Sequence, residues 1–511
     1  MPTLDLTACP VAPFAHQRTA ITKIVEEPYV FLTDEMGLGK SKIIVDAASV
    51  LYAQGKIDHV IIVATSQVKP VWLDPELGQL ATHCWPTIFN TVTHYHSRKK
   101  QWVTGHSQNG EAGLLWVVTN YEYIRHGIKP RSRYIPPHLD TLLKLCTDRT
   151  LLILDESSAV KSTRAQQTRA CLHLRRACGR VVLMTGTPIA HSPMDLLSQA
   201  NILHPSILSD VPGTSTNIIQ FRSRYATMGG FQGKQILSFR NLEDLQNRLQ
   251  PHTLRRLKKD CLDLPAKLDP VTITTTLSAE TWKAYTAMRD HMIVALGGSV
   301  SVAQQAVTKL IRLSQLTSGM IGGIEGSPDV IHTLSHEKID TLTAWVTEQL
   351  EADPNFKLVV WTQFRADVER VRDALAALPH PLEIGVLWGS SKAAERQRAL
   401  RLLHPETAPT GAAVVIGTPQ TGAMGITLAA SHTVVYLNNS HSLNIRMQSE
   451  DRTHRPGQTH AVSYFEVVAT GPKGQRTIDH IVLKALRAKR DLADWTAAAW
   501  LDELKKQKSE K

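Results

Sequence analysis

Asp34-Glu35-Met36-Gly37-Leu38-Gly39-Lys40-Ser41 stands between the apolar run Tyr29–Leu32 and a helix-prone stretch, Lys42–Leu51. A strand, a glycine-containing loop and a helix start, in that order, aim successive backbone N–H groups at one point and so suit a phosphate chain. Gly37 and Gly39 let the backbone come close without a Cβ. In such a loop Met36, Gly37, Leu38 and Gly39 form the cradle. Lys40 reaches the outer phosphates of ATP, and the Ser41 hydroxyl ligates Mg²⁺. The strict form of this loop carries a glycine five residues before the second one; here that position is Asp34.

Working outward, short aliphatic and β-branched runs recur at Tyr29–Leu32, His59–Ala64, Leu114–Val118, Leu151–Leu154 and Val181–Met184. A second set follows at Leu358–Trp361, Ile384–Leu387, Ala413–Ile416, Thr433–Leu437 and Val462–Val468. Continuous apolarity predicts strands buried on both faces, hence two successive α/β units with doubly wound parallel sheets. Between them, Arg222–Lys259 is basic and helix-prone with breaks at Gly229, Gly230 and Gly233, and residues 280–318 again read as helix. The tail Thr477–Lys506 reads as a helix with apolar positions Ile481, Leu486, Leu492, Trp495, Leu501 and Leu504. The expected division is a first lobe over 1–205, a helical insertion and linker over 206–335, a second lobe over 336–475 and a C-terminal helix over 476–511.

A chain of 511 residues exceeds one compact core. Its 42% hydrophobic content is that of a globular protein, and no apolar run is long enough to span a bilayer. Without a secretory signal over Met1–Pro13, a cytoplasmic location, bacterial or infected-host, is expected. The six cysteines include no Cys-x-x-Cys, so no zinc module is expected. Lys and Arg exceed Asp and Glu by 57 − 46 = 11, which favours a polyanionic partner without specifying one.

Leu151-Leu152-Ile153-Leu154-Asp155-Glu156 is a buried strand ending in two acids. At the carboxyl end of a parallel strand they face the phosphate loop, Asp155 holding Mg²⁺ through water and Glu156 activating the attacking water. Gln448-Ser449-Glu450-Asp451-Arg452-Thr453-His454-Arg455-Pro456-Gly457-Gln458 places two arginines three apart, on one face of a helix. Planar, permanently charged guanidinium groups suit phosphate. From the second lobe, Arg452 and Arg455 complement the γ-phosphate when the lobes close.

These motifs, in this order, resemble superfamily-two helicases, and in detail the Swi/Snf branch. Asp34–Ser41 resembles that branch's loop except for Ser41 in place of threonine. Gln448–Gln458 is similar to its Gln-x-x-Asp-Arg-x-His-Arg signature. Leu254-Arg255-Arg256-Leu257-Lys258-Lys259-Asp260 with Leu264-Pro265-Ala266-Lys267 resembles a segment that ordinary RNA helicases lack.

The resemblance implies two tandem RecA-like P-loop lobes with helical insertions between them. It implies Gln17 as the adenine contact and a nucleotide-contacting role for Gln448 and Gly425. It also implies coupling or nucleic-acid roles for Thr185, Gly186, Thr187, Thr362, Gln363, Thr418 and Gly422. Thr65–Glu76 and Thr119–Glu122 resemble first-lobe strand-tracking elements. Asp155-Glu156-Ser157-Ser158 departs from the family's Asp-Glu-Ala-His, leaving Ser158 where a coupling histidine normally stands.

The function these features imply is ATP-dependent translocation on duplex DNA without base readout, by a motor that is monomeric in isolation and whose protein partners the sequence does not name. Strand separation is the alternative, although no wedge hairpin is evident; a nucleic-acid-binding scaffold with decayed ATPase is another. The absence of recognisable accessory modules resembles a bacterial or bacteriophage member of the branch.

Overall fold

The computed structural model describes residues 5–66, 68–75, 78–96, 101–105, 113–129, 134–189, 192–230, 235–296, 303–324, 327–388, 391, 393–420, 426–440 and 442–488. Gly233, Gly422 and Gly425 lie outside them, as do Glu76 and the tail positions Leu492, Trp495, Leu501 and Leu504. The chain divides into two compact units, with the boundary in the described residues between Leu262 and Asp263.

The first unit carries β1 (Tyr29–Leu32), β2 (His59–Ala64), β3 (Asn90–His96), β4 (Gln101–Gly105), β5 (Leu114–Asn120), β6 (Thr150–Asp155) and β7 (Arg180–Met184). A two-stranded hairpin, β8 (Ala226–Gly229) and β9 (Gln235–Phe239), stands apart, and β10 (Thr253–Leu254) returns to the main sheet. That sheet runs β10-β1-β7-β6-β2-β5-β3-β4, parallel throughout except for the β3–β4 pair.

Burial on both faces explains the continuous apolar runs. In β6, Leu151 and Ile153 pack with the helices Ala15–Glu26 and Lys40–Ala53 through Ile21, Ile24, Ile43 and Ala47. Leu152 and Leu154 face the helices Gln166–Ala177 and Asp195–Leu203 through Leu174, Leu197 and Ala200.

The second unit holds β11 (Val271–Thr276), the hairpin β12 (Met320–Ile324) and β13 (Ser327–Thr333), then β14 (Lys357–Trp361), β15 (Glu383–Leu387), β16 (Ala413–Gly417), β17 (Thr433–Tyr436) and β18 (Ser463–Thr470). Its main sheet, β11-β18-β17-β14-β16-β15, is wholly parallel. Val414 and Ile416 face the helices Glu337–Ala352 and Arg365–Ala376, while Ala413 and Val415 face Ala393–Leu402.

The α/β class with parallel sheets is as expected, but the middle of the chain differs. The stretch 206–335 is shared between the two units and supplies β10 to one sheet and β11 to the other. Arg222–Lys259 is not simply helical: it contains β8 and β9 as well as the helix Leu242–Leu249. The hairpin β3–β4 was likewise unforeseen. Residues 478–488 are helical, yet their apolar face is Ile478, Val482, Leu483 and Leu486, and Ile481 is 61% exposed. No helix among the described residues is long and apolar enough to cross a membrane.

Candidate functional site

Strand register builds the first unit's site. Leu32 is paired with Met184, and Met184 with Asp155, so β1, β7 and β6 end level with one another. The loop 33–39, the Thr185 turn and Glu156 therefore leave the sheet at one carboxyl edge, where open parallel sheets bind ligands.

Gly37 and Gly39 hold φ of 85° and 76°, a left-handed backbone that glycine adopts without a Cβ penalty. Gly39 caps the helix Lys40–Ala53, whose first turn begins with Lys40 and Ser41. A Cβ on Gly39 would lie 2.3 Å from Gln17 Nε2, and one on Gly37 would lie 2.8 Å from Lys258 Cε. The cradle is thus fenced by two side chains from elsewhere in the unit.

Gln17 is bound to the loop itself, its Nε2 donating to Leu38 O at 3.3 Å while its Oε1 accepts from Phe14 N at 3.0 Å. Lys40 Nζ donates to the carbonyls of Asp34 (2.7 Å) and Glu35 (3.1 Å). Burial pulls the Lys40 pKa down, against the carboxylates of Glu156 and Asp34, which hold its charge. Lys40, Asp155 and Glu156 are therefore one electrostatic set.

Asp34 is fully buried and ion-paired with Arg256, whose Nε donates to Asp34 Oδ1 at 3.0 Å and whose Nη2 reaches Oδ2. A forked guanidinium on a carboxylate is a strong, directional contact. It gives the loop a side-chain anchor at the position where the strict pattern has glycine.

Asp155 Oδ2 accepts from Trp72 Nε1 at 2.8 Å, and its carbonyl accepts from Tyr121 OH at 3.0 Å. Burial raises the Asp155 pKa, while the Trp72 hydrogen bond and the Lys40 charge oppose the rise. Glu156 has φ of 51°, a left-handed backbone in a residue that is not glycine. Such a conformation costs about 1–3 kcal/mol and persists where surroundings impose it, commonly at functional sites.

The Thr185 hydroxyl lies 3.4 Å from Glu156 Oε2 and accepts from Thr187 N at 3.1 Å. Gly186 packs directly on the loop, since a Cβ there would sit 2.5 Å from Met36 Cγ. Ser158 is half-buried in the turn Ser157–Val160. It is Ser157 that is fully buried: it donates to Gln199 Oε1 at 2.9 Å, and Gln199 Nε2 donates to Pro188 O at 2.9 Å. A second bridge from the acid-pair segment to the Thr185–Pro188 turn thus runs through Gln199, which sequence reading missed. The two expected strand-tracking segments also meet, Asn120 Nδ2 donating to Ser66 Oγ at 2.6 Å and Ser66 Oγ to Glu122 Oε2 at 2.8 Å.

In the second unit the helix Leu443–Glu450 ends before the arginines. Arg452 and Arg455 therefore do not share a helix face; they lie in the turns that follow. Pro456 disfavours helical backbone at Arg455, and Gly457 turns left-handed with φ of 98°. Arg455 Nη1 donates to Ile426 O at 2.8 Å, and Arg452 O accepts from Leu428 N at 2.8 Å, so both are tied to residues 426–428. Burial lowers the Arg455 pKa, which the Asp451 carboxylate counters.

Gln448 is half-buried on the helix. Arg446, behind it, bridges Glu450 and Glu466 at 2.7 Å each and stacks 3.6 Å from the Tyr436 ring. Breaking one partner from a buried ion pair costs about 3–5 kcal/mol, so this cluster shapes the unit rather than its chemistry.

Trp361 pairs with Gly417 and Tyr436, which brings Thr362 and Thr418 to one sheet edge. Thr362 is nonetheless fully buried, its hydroxyl 3.2 Å from both Asp367 Oδ2 and Asn438 Oδ1. Its side chain is an internal strut, not a surface for nucleic acid. Gln363 is half-buried and Thr418 is 6% exposed.

The SNF2-related domain family matches residues 23–318, more than half of the chain, and the helicase conserved C-terminal domain matches residues 337–457. The chain belongs to the SNF2-related family. "Protein CHROMATIN REMODELING 4" of Arabidopsis thaliana is 23% identical to this SNF2-related chain over 500 residues, covering 91% of this chain and 20% of that protein. "Nuclear protein STH1/NPS1" of Saccharomyces cerevisiae is 23% identical over 482 residues, covering 90% and 33%. This SNF2-related chain thus spans a fifth to a third of the length of these relatives. The solved Sulfolobus solfataricus SWI2/SNF2 ATPase core in complex with dsDNA aligns over 98% of this chain and 97% of its own, with 18% identity and a TM-score of 0.40.

The SNF2-related site fits a magnesium nucleotide. Gly37 and Gly39 leave a cradle without Cβ atoms, the Lys40 ammonium borders it, and Ser41 and Asp155 offer hard oxygen ligands. Among the described residues no group of three or more His, Cys, Asp or Glu could hold a metal. Mg²⁺ suits such a site, because it is commonly held by one or two protein oxygens together with substrate phosphates and water.

Proposed function

We propose that this SNF2-related chain hydrolyses ATP to move along double-stranded DNA, without reading bases. The observation that carries the reading is the level ending of β1, β6 and β7, which gathers Lys40, Asp155, Glu156 and Thr185 at one sheet edge. Bound Mg²⁺ supplies Lewis-acid polarisation of the phosphates. Lys40 and the amides of Met36–Gly39 bind the phosphate chain, Ser41 and Asp155 hold the ion, and Glu156 takes the proton of the attacking water. Arg452 and Arg455 contribute the positive charge that the γ-phosphate requires in the transition state.

Thr185, Gly186 and Thr187 relay between nucleotide and nucleic acid; Gln363, Thr418 and the segment containing Gly422 and Gly425 do so in the second unit. A surplus of eleven positive charges supports contact with phosphates rather than base edges, and hence steep salt sensitivity. Gln17 and Gln448 are assigned to the nucleotide, and the chain is monomeric in isolation.

The edge hairpin β3–β4 favours a second reading, strand separation. Two substrates decide between them: a duplex bearing a triplex-forming third strand, and a tailed duplex. Translocation predicts ATP-dependent release of the third strand with the duplex left paired. Unwinding of the tailed duplex without third-strand release selects the alternative.

A further inference from the structure

The segment 254–258 is hydrogen-bonded along the phosphate loop as a strap. Thr33 N donates to Leu254 O at 2.8 Å, Glu35 N to Arg256 O at 2.9 Å, and Lys258 N to Glu35 Oε2 at 2.7 Å. Within this strap Arg255 makes a bridge of its own. Its Nη1 donates to Thr33 O, at the start of the loop, and to Gly186 O at 2.8 Å, in the turn after β7. The turn's next link is Thr185, whose hydroxyl lies 3.4 Å from the Glu156 carboxylate. A chain of contacts therefore runs Arg255, Gly186, Thr185, Glu156, with Gly186 seated on Met36 of the loop.

We propose that Arg255 is a positioning residue for hydrolysis: it clamps the Thr185–Pro188 turn to the phosphate loop and, through Thr185, sets the Glu156 carboxylate. The proposal rests on the ATPase reading above. A general base acts only within hydrogen-bond reach of its proton, and a misplacement of about 1 Å costs on the order of 10²-fold in rate. Arg255 also adds positive charge beside Lys40 and acts on its ammonium.

The test compares wild type with Arg255→Met, which keeps the apolar stem and removes the fork, and with Arg255→Lys. Three quantities are read: kcat with KM for ATP, the Kd of a fluorescent ATP analogue, and hydrogen exchange of the 185–187 amides with a non-hydrolysable analogue. Arg255→Met should lower kcat by about 10–100-fold while KM and Kd stay within about threefold, the margin of a contact that does not touch the nucleotide. Analogue binding should slow exchange at 185–187 in wild type and leave it unchanged in the variant. Arg255→Lys should recover part of kcat, since an ammonium lacks the planar fork.

A kcat within twofold of wild type overturns the proposal. So does a joint loss of kcat, Kd and melting temperature in both variants, which is what a purely structural role produces. If Arg255→Met does not fold, Arg255→Lys carries the same comparison. Absence of hydrolysis in the wild type would overturn the ATPase reading instead, and the exchange measurement would still decide whether Arg255 links the turn to the loop.

Discussion

Glu156→Gln should abolish most ATP turnover, lowering kcat by about 10²–10⁴-fold, the usual contribution of a positioned general base, while nucleotide still binds. The substitution is isosteric, and the amide can stay 3.4 Å from the Thr185 hydroxyl as Glu156 does. What it removes is the capacity to accept a proton. The left-handed backbone at φ 51° is imposed by the turn between β6 and Ser157 and is indifferent to this change, so the fold should survive. Single-turnover phosphate release, paired with the Kd of a fluorescent ATP analogue, separates the two effects. Turnover within a few-fold of wild type would strip Glu156 of this role.

Arg455→Ala should be more severe still, lowering kcat by about 10³–10⁵-fold, the contribution of an arginine that stabilises the transferring phosphoryl group. Arg455 sits in a turn, not on a helix, and is anchored by its bond to Ile426 O. That anchor holds the guanidinium beside Ile426, and its planar, permanently charged fork suits a phosphate oxygen. Arg455→Lys should rescue little, because an ammonium on a flexible stem cannot make a paired contact. Duplex DNA affinity and melting temperature should stay near wild type, since the buried cluster of Arg446, Glu450 and Glu466 that shapes the unit does not include Arg455. A variant that turns over normally with duplex DNA would place the charge elsewhere.

Local features of the chain were legible beforehand, and long-range pairings were not. Ten apolar runs matched strands to within two residues at each end, because parallel strands covered on both faces must be apolar at successive positions. β11 escaped notice because Val271–Thr276 sits at an edge and alternates with threonine, so it carries no continuous signal.

The phosphate loop was legible from eight residues, but Asp34 was not: its partner Arg256 lies 222 positions away. Gln199 was hidden for the same reason, reaching Ser157 across 42 positions. Spacing of three suggested a helix face for Arg452 and Arg455, and the Pro456-Gly457 break overrode it. Thr362 looked functional by motif, yet full burial beside Asp367 makes it a strut.

Hydrolysis by this chain should be driven by paired DNA. This dependence is tested most directly by ATPase rate at fixed salt with duplex, single-stranded and no DNA, each repeated as ionic strength rises. A motor on double strands predicts strong stimulation by duplex over single strand, lost steeply with added salt. Equal rates in all three conditions would contradict it.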